Sequence, residues 1–329
     1  MTSINSLIHG NGALEIRMIP NPEKAKSDSA LLLMHGAEQL DIYLIDGGHA
    51  NKCTLEALLA LRRRLLKETA LEDIPENRLH LTLLITHCHV DHVETLYEEI
   101  LPEPCFAVDA VYLPPATALT TDGTYSNLRN GDVYRRSLLL KAILDYSPET
   151  PIHMLRFGEL RELPLPDGRI QLFAPLSDWG EPSGLSYILK YYFADKPEKV
   201  YPNVPVRVVN CNTMWIRAEI GEHSMLFPGD AVKVLTDRDD EPMDRTIAAY
   251  GKLMISDIVK YPHHGVGRNP AAANTASLLK PGGMAVLAAG LADSEAAIAL
   301  DAIGIPHVNV ADGTQIFVLT QESVQYIAP

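Results

Sequence analysis

Four residues of metal-binding type lie within six positions of the chain: His87, His89, Asp91 and His92. They follow a short apolar run at residues 81–86 that predicts a buried strand, so they would lie in the loop between this strand and a helix. Imidazole nitrogens and carboxylate oxygens suit Zn²⁺, and also Mn²⁺ or Fe. His87 and His89 could share one ion, while Asp91 and His92 could hold a second. The spacing therefore predicts a compact loop for two metal ions.

Two metal ions need more ligands than this loop contains. Asp230 is the expected bridging carboxylate, because it ends a predicted strand at 224–228 and the preceding Gly229 leaves room for the backbone to approach. His263 and His264 follow another predicted strand at 255–260. Adjacent side chains diverge, so we expect one of these histidines to bind metal. The other would donate a proton or a hydrogen bond to the substrate, and the sequence leaves the choice between them open.

The elements that must position these residues are strands alternating with helices. We predict helices at 54–67, with Thr54 as its cap, and at about 91–99, 134–146 and 243–252. Further strands are predicted at 14–18, 30–35, 41–46, 106–113, 213–220, 284–289, 307–310 and 315–320. Two strand-rich halves that each carry helices predict an α+β protein, with two sheets packed face to face and helices outside. Residues 115–135 predict a long loop that covers the substrate.

Composition and charge restrict the kind of partner. The 329 residues are 47% hydrophobic and 21% charged, as in ordinary soluble proteins, and no apolar run approaches the ~20 residues of a membrane span. A net charge of −14 weighs against nucleic acid and favours a small-molecule substrate. The four cysteines form no CxxC motif, which predicts reduced thiols and a cytoplasmic location. A homo-oligomer is left open.

The order of these motifs resembles that of the metallo-β-lactamase superfamily. The shared markers are Asp46 after an early strand, the segment Thr86–His92, Gly229-Asp230 and His263-His264. Within the superfamily the sequence is most similar to the soluble domain of the competence-protein ComEC/Rec2 type. This narrower resemblance rests on the segments Asn212–Arg217, Lys260–Gly265 and Pro270–Thr320.

The resemblance implies an αββα sandwich formed by residues 1–329 as one domain, with a dinuclear site at the edge between the two sheets. It also implies that a metal-bound hydroxide attacks an ester, an amide or a phosphodiester. Asp91 would bind metal and orient this nucleophile, and His263 or His264 would assist the leaving group. Asp46 would orient the motif loop without binding metal, and Asn212 stands where the ComEC-like subgroup has Asn.

The sequence departs from the family pattern at two places. Many members have a further histidine between the motif loop and the bridging aspartate, and here only His153 and His223 are candidates, in a predicted strand and a hairpin turn. We therefore expect the ion at His87 and His89 to be the looser one. The subgroup's Ser after His-His-Gly is Val266 here.

Three functions follow as hypotheses. The first is a metal-dependent hydrolase of a phosphodiester or related small molecule, with two divalent ions, Zn²⁺ foremost. The second is a hydrolase of a carboxylic ester, lactone or β-lactam. The third is a metal-containing binding or regulatory module without turnover.

Overall fold

The computed structural model describes residues 4–7, 10–21, 28–115, 132–176, 209–231, 242–265, 271–288 and 295–329. Two β-sheets form in this part of the chain. None of the helices in these ranges has the length and apolar character of a membrane span.

Sheet one contains eight strands of the described chain, in the order β15-β14-β1-β2-β3-β4-β5-β6. Strands β3 to β6 run parallel to one another, whereas the other neighbours are antiparallel. The strands are β1 (Leu14–Met18), β2 (Ala30–His35), β3 (Leu40–Ile45), β4 (Leu79–Leu84), β5 (Phe106–Leu113), β6 (Ile152–Met154), β14 (Gln315–Leu319) and β15 (Val324–Ile327).

Sheet two contains seven strands of the described chain, in the order β13-β12-β11-β10-β9-β8-β7. Strands β10 to β13 are parallel, and β7 to β10 form an antiparallel meander. The strands are β7 (Leu160–Leu165), β8 (Gly168–Phe173), β9 (Trp215–Ile220), β10 (His223–Phe227), β11 (Ser256–Lys260), β12 (Leu279–Leu287) and β13 (His307–Asn309).

Helices cover the outer face of each sheet. On sheet one lie α1 (Cys53–Thr69), α2 (Val90–Thr95), which continues as a π-helical turn (Leu96–Ile100), and α3 (Asp132–Tyr146). On sheet two lie α4 (Pro242–Met254), α5 (Ala271–Ser277) and α6 (Glu295–Ala302). Short 3₁₀ turns occur at Asn5–Leu7, Pro262–Gly265 and Val310–Asp312.

The central core lies between the two sheets. Ile16 and Phe317 of sheet one and Ile216 and Ile258 of sheet two belong to one buried cluster, each at most 1% exposed. Burying the apolar face of each sheet against the other is the main driving force for this architecture. The predicted α+β fold, with two mixed sheets face to face and helices outside, is confirmed.

Some local predictions were wrong. Thr54 does not cap α1, because Lys52 occupies the cap position and the Thr54 hydroxyl donates instead to the Gly47 carbonyl at 2.8 Å. Residues 132–135 of the predicted loop belong to α3, while 116–131 lie outside the described residues. The assignment of 1–329 to one domain stays a prediction.

Candidate metal centre

The predicted site residues lie at the ends of four strands. Asp46 follows β3, the motif loop follows β4, Asp230 follows β10, and His263 and His264 follow β11. Strands β3 and β4 are parallel, as are β10 and β11, so each pair brings its carboxyl ends to the same edge of its sheet.

Backbone hydrogen bonds join the loops that meet at this edge. The Met214 amide donates to the Thr86 carbonyl at 2.8 Å, and the His263 amide donates to the Gly229 carbonyl at 3.1 Å. The first bond holds the histidine motif of sheet one against the residues that enter β9 of sheet two, and the second joins the loops that follow β10 and β11 within sheet two.

Asp230 lies at the centre of the site and is 2% exposed. Its Oδ1 is 3.3 Å from His92 Nε2, and its Oδ2 is 3.3 Å from His264 Nε2. His87 Nε2 and His263 Nε2 lie at 3.9 and 3.8 Å from Oδ2. One buried carboxylate therefore faces imidazoles from both sheets.

The remaining motif residues complete the cluster. His89 Nδ1 lies 3.0 Å from His87 Nε2, and Asp91 Oδ2 lies 3.2 Å from His264 Nε2. His87, His89, His92 and His264 are at most 6% exposed. Each residue that the sequence nominated as a metal ligand thus lies within 4 Å of at least one other, and three of them, His92, Asp230 and His264, belong to a group whose ligand atoms lie within 4.8 Å of one another.

Hydrogen bonding tests whether these residues fit a cation. His92 Nε2, His264 Nε2 and Asp230 Oδ1 are buried, and none has a partner in hydrogen-bond geometry although they lie close together. A buried polar atom without a partner costs about 1–3 kcal/mol. Ligand atoms of Asp28, His92, Asp230 and His264 lie within 4.8 Å of one another. Lone pairs that converge in this way fit a divalent cation.

The protonation of the imidazoles follows from their neighbours. Burial lowers the pKa of His87 well below its ordinary value, and the nearby His92 and His89 lower it further, so this ring is neutral. Burial also lowers the pKa of His92, but Asp230 and Asp46 outweigh it and raise that pKa to about 10. In the metal-free protein, His92 is therefore a cation held between two carboxylates.

Asp46 fixes the motif loop through contacts with Thr86 and His92. Its Oδ1 accepts a hydrogen bond from the Thr86 amide at 2.8 Å, and its Oδ2 accepts one from the Thr86 hydroxyl at 2.6 Å. The same Oδ2 lies 2.8 Å from His92 Nδ1. A carboxylate on Nδ1 sets the tautomer and turns Nε2 toward the site.

The structure distinguishes the two adjacent histidines. His263 and His264 both have left-handed backbones, with φ of 52° and 58°, a conformation that costs a non-glycine residue about 1–3 kcal/mol and is concentrated at functional sites. His264 is fully buried in the cluster, whereas the His263 side chain is 33% exposed and faces Asp230 from its rim.

Asn212 lies beside the motif loop and is 2% exposed. It precedes Thr213, whose hydroxyl donates to the Thr86 carbonyl at 3.3 Å. Neither its amide nitrogen nor its amide oxygen has a hydrogen-bond partner in the described structure.

Neither histidine considered as a further ligand belongs to the cluster of ligand atoms found among the described residues. The His153 ring stacks on Tyr112 with centroids 4.7 Å apart. His223 faces Asp257 at 3.4 Å, at the opposite end of β10 from Asp230. Val266 lies outside the described residues.

Sequence reasoning missed Asp28 and Lys260, which are 6% and 2% exposed. Asp28 Oδ1 lies 3.1 Å from His264 Nδ1, and its Oδ2 forms an ion pair with the Lys260 ammonium. Asp28 precedes β2 and is 236 residues from His264 in the chain. No local pattern marks it, because Ser-Asp-Ser is typical of a solvent-exposed turn.

Gly229 provides a test of how Asp230 is positioned. Its φ is +56°, and an added Cβ would lie 2.9 Å from Thr86 Cβ and closer still to the Thr213 hydroxyl. We expect Gly229→Ala to lower the free energy of unfolding by about 1–3 kcal/mol and to weaken zinc binding, because the Asp230 loop must shift away from the motif loop. Urea denaturation and zinc titration measure the two effects.

The matched control is Gly304→Ala, which has a similar φ of +71° but no atom within 4 Å of the added Cβ. This variant measures the free-energy cost of placing alanine in a left-handed backbone conformation without a steric clash. Equal destabilisation in the two variants, with unchanged zinc binding, would show that the close approach at Gly229 does not position Asp230.

No protein-family model matches the chain. No curated protein sequence matches it either. Similar solved structures include unliganded yeast PDE1 (10% identity, 91% of this chain and 98% of that chain, TM-score 0.49). Another is Zn²⁺-bound PqqB from Methylobacterium extorquens (12% identity, 93% of this chain and 96% of that chain, TM-score 0.42). A third is the MIM-2 metallo-β-lactamase (12% identity, 78% of this chain and 79% of that chain, TM-score 0.33). The narrower resemblance to the ComEC/Rec2 type stays a prediction, while metallo-β-lactamase-fold proteins are among the solved structures to which this chain is similar.

Proposed function

We propose that this chain is a metal-dependent hydrolase whose site comprises His87, His89, Asp91, His92, Asp230 and His264. The observation that carries the proposal is the convergence of buried, unpartnered ligand atoms on Asp230, with imidazoles from both sheets at 3.3 Å. Nitrogen and oxygen ligands of this kind suit Zn²⁺, with Mn²⁺ or Fe as alternatives. The identity of the metal and the number of ions belong to this proposal.

We assign the ligands to two halves that share Asp230. His87 and His89, whose ring nitrogens lie 3.0 Å apart, form one half. Asp91, His92 and His264 form the other, since Asp91 Oδ2 lies 3.2 Å from His264 Nε2. Divalent ions bound there would lower the pKa of water to give a nucleophile near neutral pH and would polarise the substrate oxygen.

The protein residues would divide the remaining tasks. Asp91 would orient the attacking water. His263, which is partly exposed beside Asp230, would face the leaving group. Burial lowers the pKa of His263 below its ordinary value, despite the opposing effect of Asp230, so its ring is neutral near pH 7. A neutral imidazole offers the leaving group an N–H hydrogen bond rather than a positive charge.

The substrate we propose is a small phosphodiester, from the resemblance to the ComEC/Rec2 type. The net charge of −14 supports a small molecule over a long polyanion. Parallel assays with bis-p-nitrophenyl phosphate, a lactone and nitrocefin separate this substrate class from carboxylic esters and β-lactams. A protein that binds metal but turns over none of these compounds would favour the binding-module hypothesis.

Substituting the motif loop tests the proposed catalysis. We expect Asp91→Ala and His89→Ala to reduce kcat/KM by roughly 10²–10³-fold or more, because each removes a ligand and Asp91 also loses contact with the nucleophile. Steady-state assays are run alongside elemental analysis of the same samples.

The matched control is His223→Ala, which removes a histidine at the far end of β10 from Asp230 and should leave activity unchanged. If Asp91→Ala retained full activity with its metal content verified, the proposed role of the loop would be wrong.

Substitution of Asn212 tests whether the two halves of the site bind zinc with different affinities. We expect zinc titration of the natural protein to show one tight and one weaker site, because the further imidazole beside His87, that of His92, is assigned to the other half. Asn212→His should tighten the weaker site by about tenfold or more, since imidazole is a better zinc ligand than a neutral amide. Asn212→Ala is the control for loss of the amide alone. Two equal sites in the natural protein, unaffected by either substitution, would contradict this assignment.

A further inference from the structure

The two ring nitrogens of His264 face different groups. Nε2 lies 3.2 Å from Asp91 Oδ2 and 3.3 Å from Asp230 Oδ2, inside the proposed metal site. Nδ1 lies 3.1 Å from Asp28 Oδ1. The ring is fully buried, so its orientation depends on these carboxylates and not on water.

Proximity alone would make Asp28 a metal ligand, because its oxygen lies within 4.8 Å of ligand atoms of His92, Asp230 and His264. Its contacts argue otherwise. One oxygen is engaged by His264 Nδ1, and the other is paired with the Lys260 ammonium. Lys260 also donates to the Gly229 carbonyl at 3.1 Å and is 2% exposed. A metal ion on Asp28 would have to displace a buried cation.

The contact between Asp28 and His264 also crosses the sandwich. Asp28 enters β2 of sheet one, whereas His264 and Lys260 belong to the end of β11 in sheet two. The Asp28 amide donates to the Asp91 carbonyl at 3.2 Å, which ties this residue to the motif loop as well. Asp28 is therefore placed to fix the position of His264 of sheet two relative to the motif loop of sheet one.

Asp46 makes the same kind of contact within sheet one, with its Oδ2 at 2.8 Å from His92 Nδ1. The two imidazoles nearest to Asp230 thus each have a carboxylate on Nδ1. Such pairing fixes the tautomer and the ring orientation of metal-binding histidines.

We propose that Asp28 is a positioning residue that holds His264 with its proton on Nδ1 and its Nε2 free for metal, and that Lys260 is the buried counter-ion of Asp28. This inference rests on the proposed function, because it assigns His264 a metal-binding role. The contacts of Asp28 that carry this inference are with His264 and Lys260, so it can also be tested in the metal-free protein.

The test uses zinc as the probe and three variants of the full chain: Asp28→Asn, Lys260→Met and the double variant. We expect Asp28→Asn to weaken zinc binding at the tight site by about 10- to 100-fold. Each single variant should also lower the urea midpoint, because one buried charge loses an ion-pair partner, although Lys260 keeps Asp230 at 3.8 Å and Asp28 keeps His264 at 3.1 Å. The double variant removes both charges, so we expect it to recover the midpoint but not the zinc affinity.

A structural role for Asp28 predicts a different pattern. If Asp28 served only to neutralise Lys260, zinc affinity would return together with stability in the double variant, and this result would overturn the proposal. Unchanged zinc affinity in Asp28→Asn would also overturn it.

A second readout needs no metal. In metal-free protein carrying ¹⁵N-labelled histidine, we expect a solvent-protected imidazole N–H signal that disappears in His264→Gln and shifts or broadens in Asp28→Asn. Absence of that signal in the natural protein would overturn the inference. Because this measurement is made without zinc, it remains decisive even if the chain proves not to bind zinc and the proposed function fails.

Asp257 supplies a matched control. It pairs with Lys280 at 2.9 Å and faces His223 at 3.4 Å, so it has the same two side-chain partner types, a lysine and a histidine, away from the site. Asp257→Asn should leave both zinc affinity and the His264 signal unchanged. An equal loss of zinc affinity in Asp257→Asn would show that the effect of Asp28→Asn is not specific, and would overturn the proposal.

Discussion

A single buried carboxylate, Asp230, is the constraint on which the rest of this site depends. A carboxylate removed from water is strongly destabilising unless positive or hydrogen-bonding groups surround it. Here they come from both sheets, with His92 at one oxygen and His264 at the other. The left-handed Gly229 allows the Asp230 loop to lie against Thr86, and so brings the ends of two sheets to one point. The burial of the sheet faces against each other then fixes that point.

The charges around Asp230 are balanced by protons in the metal-free protein. Burial opposes the charged forms of His92 and His264, but neighbouring carboxylates raise both pKa values above the ordinary value. The pKa of Asp230 is held well below its usual range despite burial, mainly by His264 and His92. One divalent cation carries the charge of the two protons that these rings would release. An ion at the half with His92 and His264 could therefore replace the protons at Nε2 without changing the net charge of that half.

The sequence predicted the site where residues of metal-binding type directly follow a recognisable strand pattern. Apolar runs predicted β4 and β11, and metal-binding residues at their ends predicted where side chains would converge. It could not identify Asp28, because a contact with a residue 236 positions away produces no local pattern in the sequence. It also could not separate His263 from His264, since the distinction arises from two consecutive left-handed residues. Strands β7 and β8 were missed in a segment whose pairing with β9 depends on contacts distant in sequence.

The two halves of the site differ in charge, and this difference bears on the substrate. His87 is neutral and lies 3.9 Å from Asp230, and His89 adds a second imidazole to this half. The other half contains Asp91, with Asp46 and Asp28 behind its two imidazoles. A cation held by neutral rings retains more of its positive charge than one held by several carboxylates. An anionic phosphodiester oxygen would therefore be drawn toward the half with His87 and His89, which leaves Asp91 on the opposite side to orient the water. Weak ligation should make the ion at His87 and His89 the more loosely bound of the two. The same weak ligation would also let that ion bind an anionic substrate more strongly.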